Sequence, residues 1–495
     1  MKLSKNADRQ GFFILLYCAR CVFTQRVFYY RSGDCIMFKS IIGDRDFYRR
    51  LFAVMVPVLI QNVITNFVSL LDNIMVGQIG TEPMSAVAII NQLIFVFNLC
   101  VFGGTAGAGI LAAQFYGKGD HEGVRDTFRM KLMISAVTVA AALGIFLTMG
   151  DTLIRLFLHE GNEGLDLELT FVYARDYLSI MLWQLAPFAI LSVYAITLRE
   201  TGEPVLPMKA SVTAVFVNLA FNYILIFGKF GAPALGVKGA AIATVIARFV
   251  ELFIVVIWTH THQSRALFIA GAYRSMRVPL PVVRQVLMMG APLLINELLW
   301  SSGMTTLNQS YSLRGLEVVS AMNISSMASN LFNCAFLAMG STVAIIVGQL
   351  LGSGDLERAV DEDNKLIAFA VGLCVVVGAV MALVSPFIPR IYNTTDTVRR
   401  IAVQLLLVTS VMMPLNAFNN CCYFTLRSGG KTLITLIFDS AFVWLVCIPV
   451  AFVLSRFTDM YILHMFIVVQ ALELIKASIG FYMVKKKMWV TNLVK

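Results

Sequence analysis

The chain has 495 residues, of which 58% are hydrophobic and only 14% charged, and it carries a formal net charge of +10. A soluble domain carries about 25% charged residues, so this composition and a mean hydropathy of +0.78 exclude one and point to an integral membrane protein. The positive balance lies in scattered loops and not in a compact basic domain, which excludes a nucleic-acid binder and fits cytoplasmic lysine and arginine beside a membrane.

Taken in chain order, residues 1–44 form an N-terminal extension whose apolar run, Phe12 to Tyr17, is too short to span a bilayer. No small-residue cleavage motif follows it, which leaves two readings: translation starts at Met37, or the extension is a real cytoplasmic segment. Apolar runs of membrane-spanning length then recur near 52–74, 86–113, 128–150, 170–196, 207–228 and 239–259. They recur again near 284–311, 318–350, 365–387, 400–426, 432–455 and 460–483. This gives an all-α integral membrane fold of about twelve helices. Alternating ten-residue segments are absent, which argues against a barrel. The longest internal polar stretch, 261–283, holds Arg265, Arg274 and Arg277 with Pro279 and Pro281. It is the expected linker between a first half, 45–260, and a second half with a basic tail, 284–495. With both termini inside, roughly twenty lysines and arginines fall on the cytoplasmic side against about ten outside. The expected location is therefore the inner cell membrane, with cytoplasmic termini.

The two halves repeat each other. Val56-Pro57-Val58-Leu59-Ile60-Gln61-Asn62 recurs 235 residues later as Ala291-Pro292-Leu293-Leu294-Ile295-Asn296-Glu297. The same offset pairs Gly80 with Gly315, Gln114 with Gln349, and Gly117-Lys118-Gly119-Asp120 with Gly352-Ser353-Gly354-Asp355. A parallel repeat of one hydrophobic unit is the pattern of a transporter whose site lies between or within two similar halves. The copies differ in charge: Asp72 stands opposite Leu307, and Glu297 opposite Asn62. An acid at the centre of a membrane helix costs about 2.5–3.5 kcal/mol, tolerated where it faces a wet cavity or binds a cation. Asp72 shares its helix with Asn62, Asn66 and Asn73, whose amide oxygens suit a hard cation or a proton. The alternative roles are a helix-end cap for Asp72 and interhelical glue for Glu297.

Several ordered motifs resemble the multidrug and toxic compound extrusion (MATE) family. They are Leu71-Asp72-Asn73-Ile74-Met75-Val76-Gly77, Gln114-Phe115-Tyr116-Gly117-Lys118-Gly119-Asp120, Leu198-Arg199-Glu200-Thr201-Gly202, Asn218 through Gly228, and Leu235 through Thr244. The resemblance covers about residues 45 to 490. It implies two six-helix bundles related by a pseudo-twofold axis along the membrane normal, and export of organic compounds driven by inward protons or sodium ions. It further implies a cation-coupling set of Asp72, Asn218, Asn222 and Thr244, with Glu297 a second acid, and a possible sodium ion at Asp72, Asn218 and Asn222. The chain departs from the family in two places. Asn222 stands where one proton-coupled branch has an aspartate, and Asn416 stands where some members have an acid. The coupling ion thus stays open between proton and sodium.

The expected substrate path takes in Asn73, Gln184, Tyr194, Asn308, Asn323, Asn416 and Asn420, with Asn330, Asn333 and Asn419 as further polar positions; lipid contact or helix packing is the competing role. The nine cysteines form no metal pattern and read as small hydrophobes. Five histidines at loops or helix edges, no paired His/Asp or Cys/His set and no GxxxxGK[ST] loop argue against an enzyme or an ATP-driven pump. The expected activity is ion-coupled antiport of a cationic or neutral amphipathic small molecule. It needs no cofactor beyond the coupling ion and involves no partner but substrate and lipid, with the chain working as a monomer. The alternative is a flippase for lipid or lipid-linked precursors of the same wider superfamily.

Overall fold

The computed structural model describes residues 42–158, 166–392 and 394–494. The Met37 start and the acidic residues Glu160 and Glu163 lie outside them. Twelve of the described helices are long and apolar enough to cross a membrane. In chain order these are α1 Arg45–Gly77, α2 Thr81–Lys118, α3 His121–Arg155, α4 Leu167–Glu200, α5 Val205–Phe227 and α6 Val237–Thr261. The second set is α7 Leu280–Ser312, α8 Leu316–Ser353, α9 Leu356–Val384, α10 Asp396–Ser428, α11 Thr432–Phe457 and α12 Ile462–Lys485.

Most helices overrun the apolar windows, and five of them start on a side-chain cap, Asp44, Asp120, Asp166, Asp355 or Thr395. The Gly-x-Gly-Asp motif of each half shows how. Gly119 and Gly354 adopt left-handed φ of +80° and +84°, which ends α2 and α8 where a side chain would be strained. The next residue starts the following helix: Gly123 N donates to Asp120 Oδ1 at 2.9 Å, and Arg358 N to Asp355 Oδ1 at 3.2 Å. The repeated motif is therefore a helix stop followed by a helix start.

Among the described residues the regular ladder breaks within three of the spanning helices. A 3-10 turn, Leu182–Gln184, interrupts α4. Two π turns, Ile437–Ala441 and Val443–Cys447, interrupt α11, and α12 breaks at Leu472. π turns of this kind often mark functional positions.

Helices α1–α6 and α7–α12 form two bundles related by a pseudo-twofold axis, as in a parallel repeat. α2 packs on α7 and α8 of the other bundle, and α1 packs on α8. The seam obeys the twofold at atomic detail. A side chain at Gly117 would strike the carbonyl of Gln349, and one at Gly352 would strike the carbonyl of Gln114. Gln114 Nε2 donates to the Ser428 carbonyl at 2.9 Å, and Gln349 Nε2 to the Glu200 carbonyl at 2.8 Å. These contacts run from mid-height, where Asn66 Nδ2 lies 3.2 Å from Cys334 Sγ, to the face that carries the start of α1 and the end of α12. On that face the halves are closed against each other.

The linker after α6 is docked, not loose. Phe268, Ile269, Ala266 and Ala272 are buried with Phe128 and Tyr194. Arg129 donates to the carbonyls of Ala272 and Gly271 at 2.9 and 3.0 Å.

Candidate functional site

A cavity of about 290 Å³ lies inside the first bundle, lined by α1, α2, α4, α5 and α6. Asp72 lies on its wall. Asn222 Nδ2 donates to Asp72 Oδ1 at 2.5 Å and to Asn218 Oδ1 at 3.1 Å. Asn218 Nδ2 in turn donates to Thr244 Oγ1 at 3.3 Å. The spacing explains the chain: Asn218 and Asn222 are four apart on α5, so they stack on one face and meet α1 on one side and α6 on the other. The Asn222 side-chain oxygen is buried and accepts no hydrogen bond. An orphaned acceptor in a membrane core is costly, and a cation beside the Asp72 carboxylate would satisfy it. Asp72 is not a helix cap: it bonds across to α5, and the cap backbone bonds beyond Gly77 are made by Gln78.

A second network lies at the same cavity's other end, and the sequence reading missed it. Gln61 Nε2 donates to Ser211 Oγ at 2.7 Å, and Ser211 Oγ donates to the Glu251 carboxylate. Arg248 donates to Glu251 Oε2 at 2.8 Å, and Arg199 donates to the Gln61 side-chain oxygen. The other bundle repeats this arrangement with the charges exchanged. Asn296 Nδ2 donates to Asp439 Oδ2 at 3.2 Å, Lys476 Nζ donates to Asp439 Oδ1 at 2.7 Å, and Glu473 Oε2 lies 3.9 Å from Lys476. Asn419 Nδ2 donates to Glu473 Oε2 at 2.8 Å.

The correspondence is positional. Gln61 on α1 and Asn296 on α7 are 235 apart, the repeat offset. Glu251 is the fifteenth residue of α6 counted from Val237, and Lys476 the fifteenth of α12 counted from Ile462. An Arg248–Glu251 pair thus faces Ser211 in one bundle, and a Glu473–Lys476 pair faces Asp439 in the other. Asp439 lies in a π turn of α11, which brings its carboxylate towards both α7 and α12.

Glu297 reaches the α2–α7 seam, where a side chain at Gly103 would come within 3.2 Å of its Cγ. Near it Arg427 is buried between the rings of Phe102 and Phe424, at 5.5 and 5.3 Å from their centroids, with one terminal nitrogen unpaired. Arg427 therefore leans from the second bundle onto a helix of the first. Deeper in the first bundle, buried Lys131 pairs with Glu200.

The structure gathers Asp72, Asn218, Asn222, Thr244 and Gln184 around one cavity. Glu297 belongs to the seam instead. Asn73 is half-buried outside the cavity lining, and Asn308 and Asn323 are exposed. Asn416 is half-buried, and Asn420 lies under Gly340 with its side-chain oxygen unpartnered. Tyr194 corrects the expected path. It is 1% exposed, lies outside the cavity, and its hydroxyl holds His260 Nε2 at 3.1 Å and the Tyr273 hydroxyl at 2.6 Å. It anchors the linker, because a phenol buried in this core needs a polar partner.

Two helical bundles with buried polar networks inside them have the architecture of a membrane transporter. The MatE family model matches residues 57–224 and 292–453, two segments that start at Pro57 and Pro292 and so repeat the internal offset. The chain belongs to the MatE family, whose members are transporters and not enzymes. It is 26% identical over 425 residues to a NorM from Thermotoga maritima named a probable multidrug resistance protein, covering 84% of this chain and 87% of that one. It is 25% identical to YoeA of Bacillus subtilis, also named a probable multidrug resistance protein, with 90% and 96% covered. Among solved structures, a MATE in complex with MaL6 superposes with a TM-score of 0.80 at 19% identity, covering 92% of this chain and 98% of that one. The Vibrio cholerae MATE transporter VcmN, in its bent form, gives 0.78 at 18% identity, with 89% and 97% covered.

Proposed function

We propose that the protein is a secondary active antiporter that exports cationic or neutral amphipathic organic compounds in exchange for protons or sodium ions. The observation that carries this reading is the Asp72–Asn222–Asn218–Thr244 chain on the wall of a cavity inside the first bundle, with one buried oxygen left unpaired. A single carboxylate surrounded by neutral amide and hydroxyl oxygens suits one monovalent cation. Sodium would use Asp72, the Asn222 and Asn218 oxygens and Thr244, and a proton would use Asp72 alone. The relatives named for multidrug resistance support the choice of cargo class.

The placement of lysine and arginine supports an inner-membrane protein with both termini in the cytoplasm. The closed face is then cytoplasmic, and the cavity is presented to the outside. Inward movement of one net charge through about 100 mV, as when a neutral cargo leaves for one cation, supplies about 2.3 kcal/mol, roughly a forty-fold cargo gradient at about 1.4 kcal/mol per tenfold; a monovalent cationic cargo exchanged one for one draws instead on the chemical gradient of the ion. A flippase for anionic lipid precursors is disfavoured by the cavity's own charge, since Arg248, a cation on its wall, is already paired with Glu251. The deciding experiment is efflux of a fluorescent organic cation from proteoliposomes under proton and sodium gradients imposed separately. Efflux driven by one gradient and abolished in Asp72→Asn supports the reading. Wild-type efflux by Asp72→Asn overturns the site.

A further inference from the structure

The segment after α12 does not leave the protein at the bilayer surface. Lys487 turns it back with a φ of +54°, an uncommon conformation for a residue with a side chain. Residues 488–494 then run across the closed seam. Trp489 is 1% exposed in the core of the second bundle, against Gly429, where any side chain would strike the Trp489 carbonyl. Asn492 Nδ2 lies 3.4 Å from the Gly352 carbonyl on α8, and Gln285 Nε2 on α7 donates to the Leu493 carbonyl at 3.2 Å.

The far end of the segment is held by the first bundle. Leu493 N donates to Gln114 Oε1 at 2.8 Å, and Gln114 Nε2 returns to the Thr491 carbonyl at 3.3 Å. Lys118 Nζ donates to the Val494 carbonyl at 2.6 Å. The Leu493 side chain packs beside Ile110 and Ala106 of α2 and Leu293 of α7. Gln114 is the residue that also bonds Ser428 across the seam, so one side chain holds the halves to each other and to this strap. The linker after α6 docks differently, through Arg129, Phe128 and Tyr194 of its own bundle.

We propose that residues 488–494 are a latch on the closed face. Its 491–494 end must leave Gln114 and Lys118 before the bundles separate there, while the Trp489 end stays with the second bundle. The latch rests on the transport reading insofar as that face opens during turnover. Moving α2 away from α8 and α10 breaks Gln114 to Ser428 and Gln349 to Glu200 together, and it stretches a segment fastened on both sides. Release falls at the first-bundle end: Trp489 is enclosed within the second bundle, whereas Gln114 and Val494, 0% and 4% exposed, are buried between the bundles and meet water once the seam parts.

The test uses the full chain with its native cysteines replaced by alanine. In Lys118→Cys/Val494→Cys, a short bis-thiosulfonate crosslinker ties the strap to α2. Nitroxide distances across the closed face, between labels incorporated at His121 and Glu357 through unnatural amino acids, are read without cargo or gradient. Crosslinking is expected to remove the longer, open-face distances and to lower cation efflux at least about tenfold, with both restored by reductant. Truncation after Lys487, or Gln114→Leu in the full chain should truncation not fold, is expected to raise the open-face population about tenfold, the scale of one or two lost hydrogen bonds. Crosslinked protein that still samples the longer distances or turns over at the reduced rate overturns the latch. So does a folded Gln114→Leu variant with an unchanged distance distribution. Because the distances need neither ion nor cargo, they fail separately from the assignment of Asp72.

Discussion

Replacing Lys476 with methionine removes the one cation from the second bundle's polar network while keeping the volume of the side chain. The carboxylates of Asp439, at 2.7 Å, and Glu473, at 3.9 Å, would then face each other without a counter-charge. The Lys476 and Asp439 side chains are 10% and 17% exposed, so solvent screening is weak. Breaking one partner of a buried pair costs about 3–5 kcal/mol, close to the cost of about 2.5–3.5 kcal/mol for an unpaired acid at the centre of a membrane helix. We therefore expect Lys476→Met to destabilise the protein by about 3 kcal/mol, on the order of 3 °C in apparent Tm for a chain of this length. Thermal unfolding in detergent, followed with a thiol-reactive dye, reads this directly, because Cys421, Cys422 and Cys447 are buried and become reactive on unfolding. Asp439→Asn added to Lys476→Met should recover part of the loss, since Glu473 is then the one carboxylate of the network and keeps Asn419 as its donor. A single variant within about 1 °C of the parent, or a double variant no better than the single, would refute the argument that the pair stabilises this bundle.

Three further outcomes follow from the geometry. Asn222→Ala should weaken coupling-ion affinity by about ten- to a hundred-fold, the scale of a lost hydrogen bond to a charged group, as read from the ion dependence of efflux; unchanged ion dependence would remove Asn222 from the site. Gly352→Ala places a methyl group against the Gln114 carbonyl and should shift the closed-face distances to longer values, with Gly117→Ala doing the same by symmetry; a variant with the parental distribution would show that the seam relaxes. Tyr194→Phe should cost about 1 kcal/mol of stability through its lost bonds to His260 and Tyr273, and should leave cargo affinity unchanged in equilibrium binding, whereas a clear fall in affinity would return Tyr194 to the substrate path.

The helices were legible in the sequence because a bilayer demands long apolar runs, and the repeat was legible because the seam residues are fixed by contact. Gln114, Gln349, Gly117 and Gly352 recur at one offset since Gly117 meets Gln349 and Gly352 meets Gln114 in equivalent contacts across the axis. Helix ends were less legible, because capped polar turns such as those after Asp120 and Asp355 extend the helices beyond the hydropathy windows. The inner polar networks escaped altogether. Glu251, Asp439, Glu473 and Lys476 are scattered through apolar segments, and each alone resembles a residue at a membrane edge. The signal that could have found them is the spacing of Arg248–Glu251 and Glu473–Lys476, opposite charges three apart within helices that otherwise carry almost none. The inward return of residues 488–494 had no signal of its own, since it depends on packing against glycines distant in sequence.

The exchange of charge between the two bundles also bears on how a duplicated chain finds its own fold. With two halves of one topology, α6 could dock on α11 or α12 on α5, within one chain or between two. The first exchange would bring Glu251 against Asp439, two carboxylates whose repulsion near contact is about 4 kcal/mol at an effective dielectric of 20. The second would move Lys476 to Ser211 and leave Asp439 with no ammonium at all. Only the cognate pairing satisfies both sets, so each bundle rejects the other's last helix. A chain carrying the first bundle's residues at both places would lose that discrimination, and entangled, helix-swapped dimers would be its expected misfolded product.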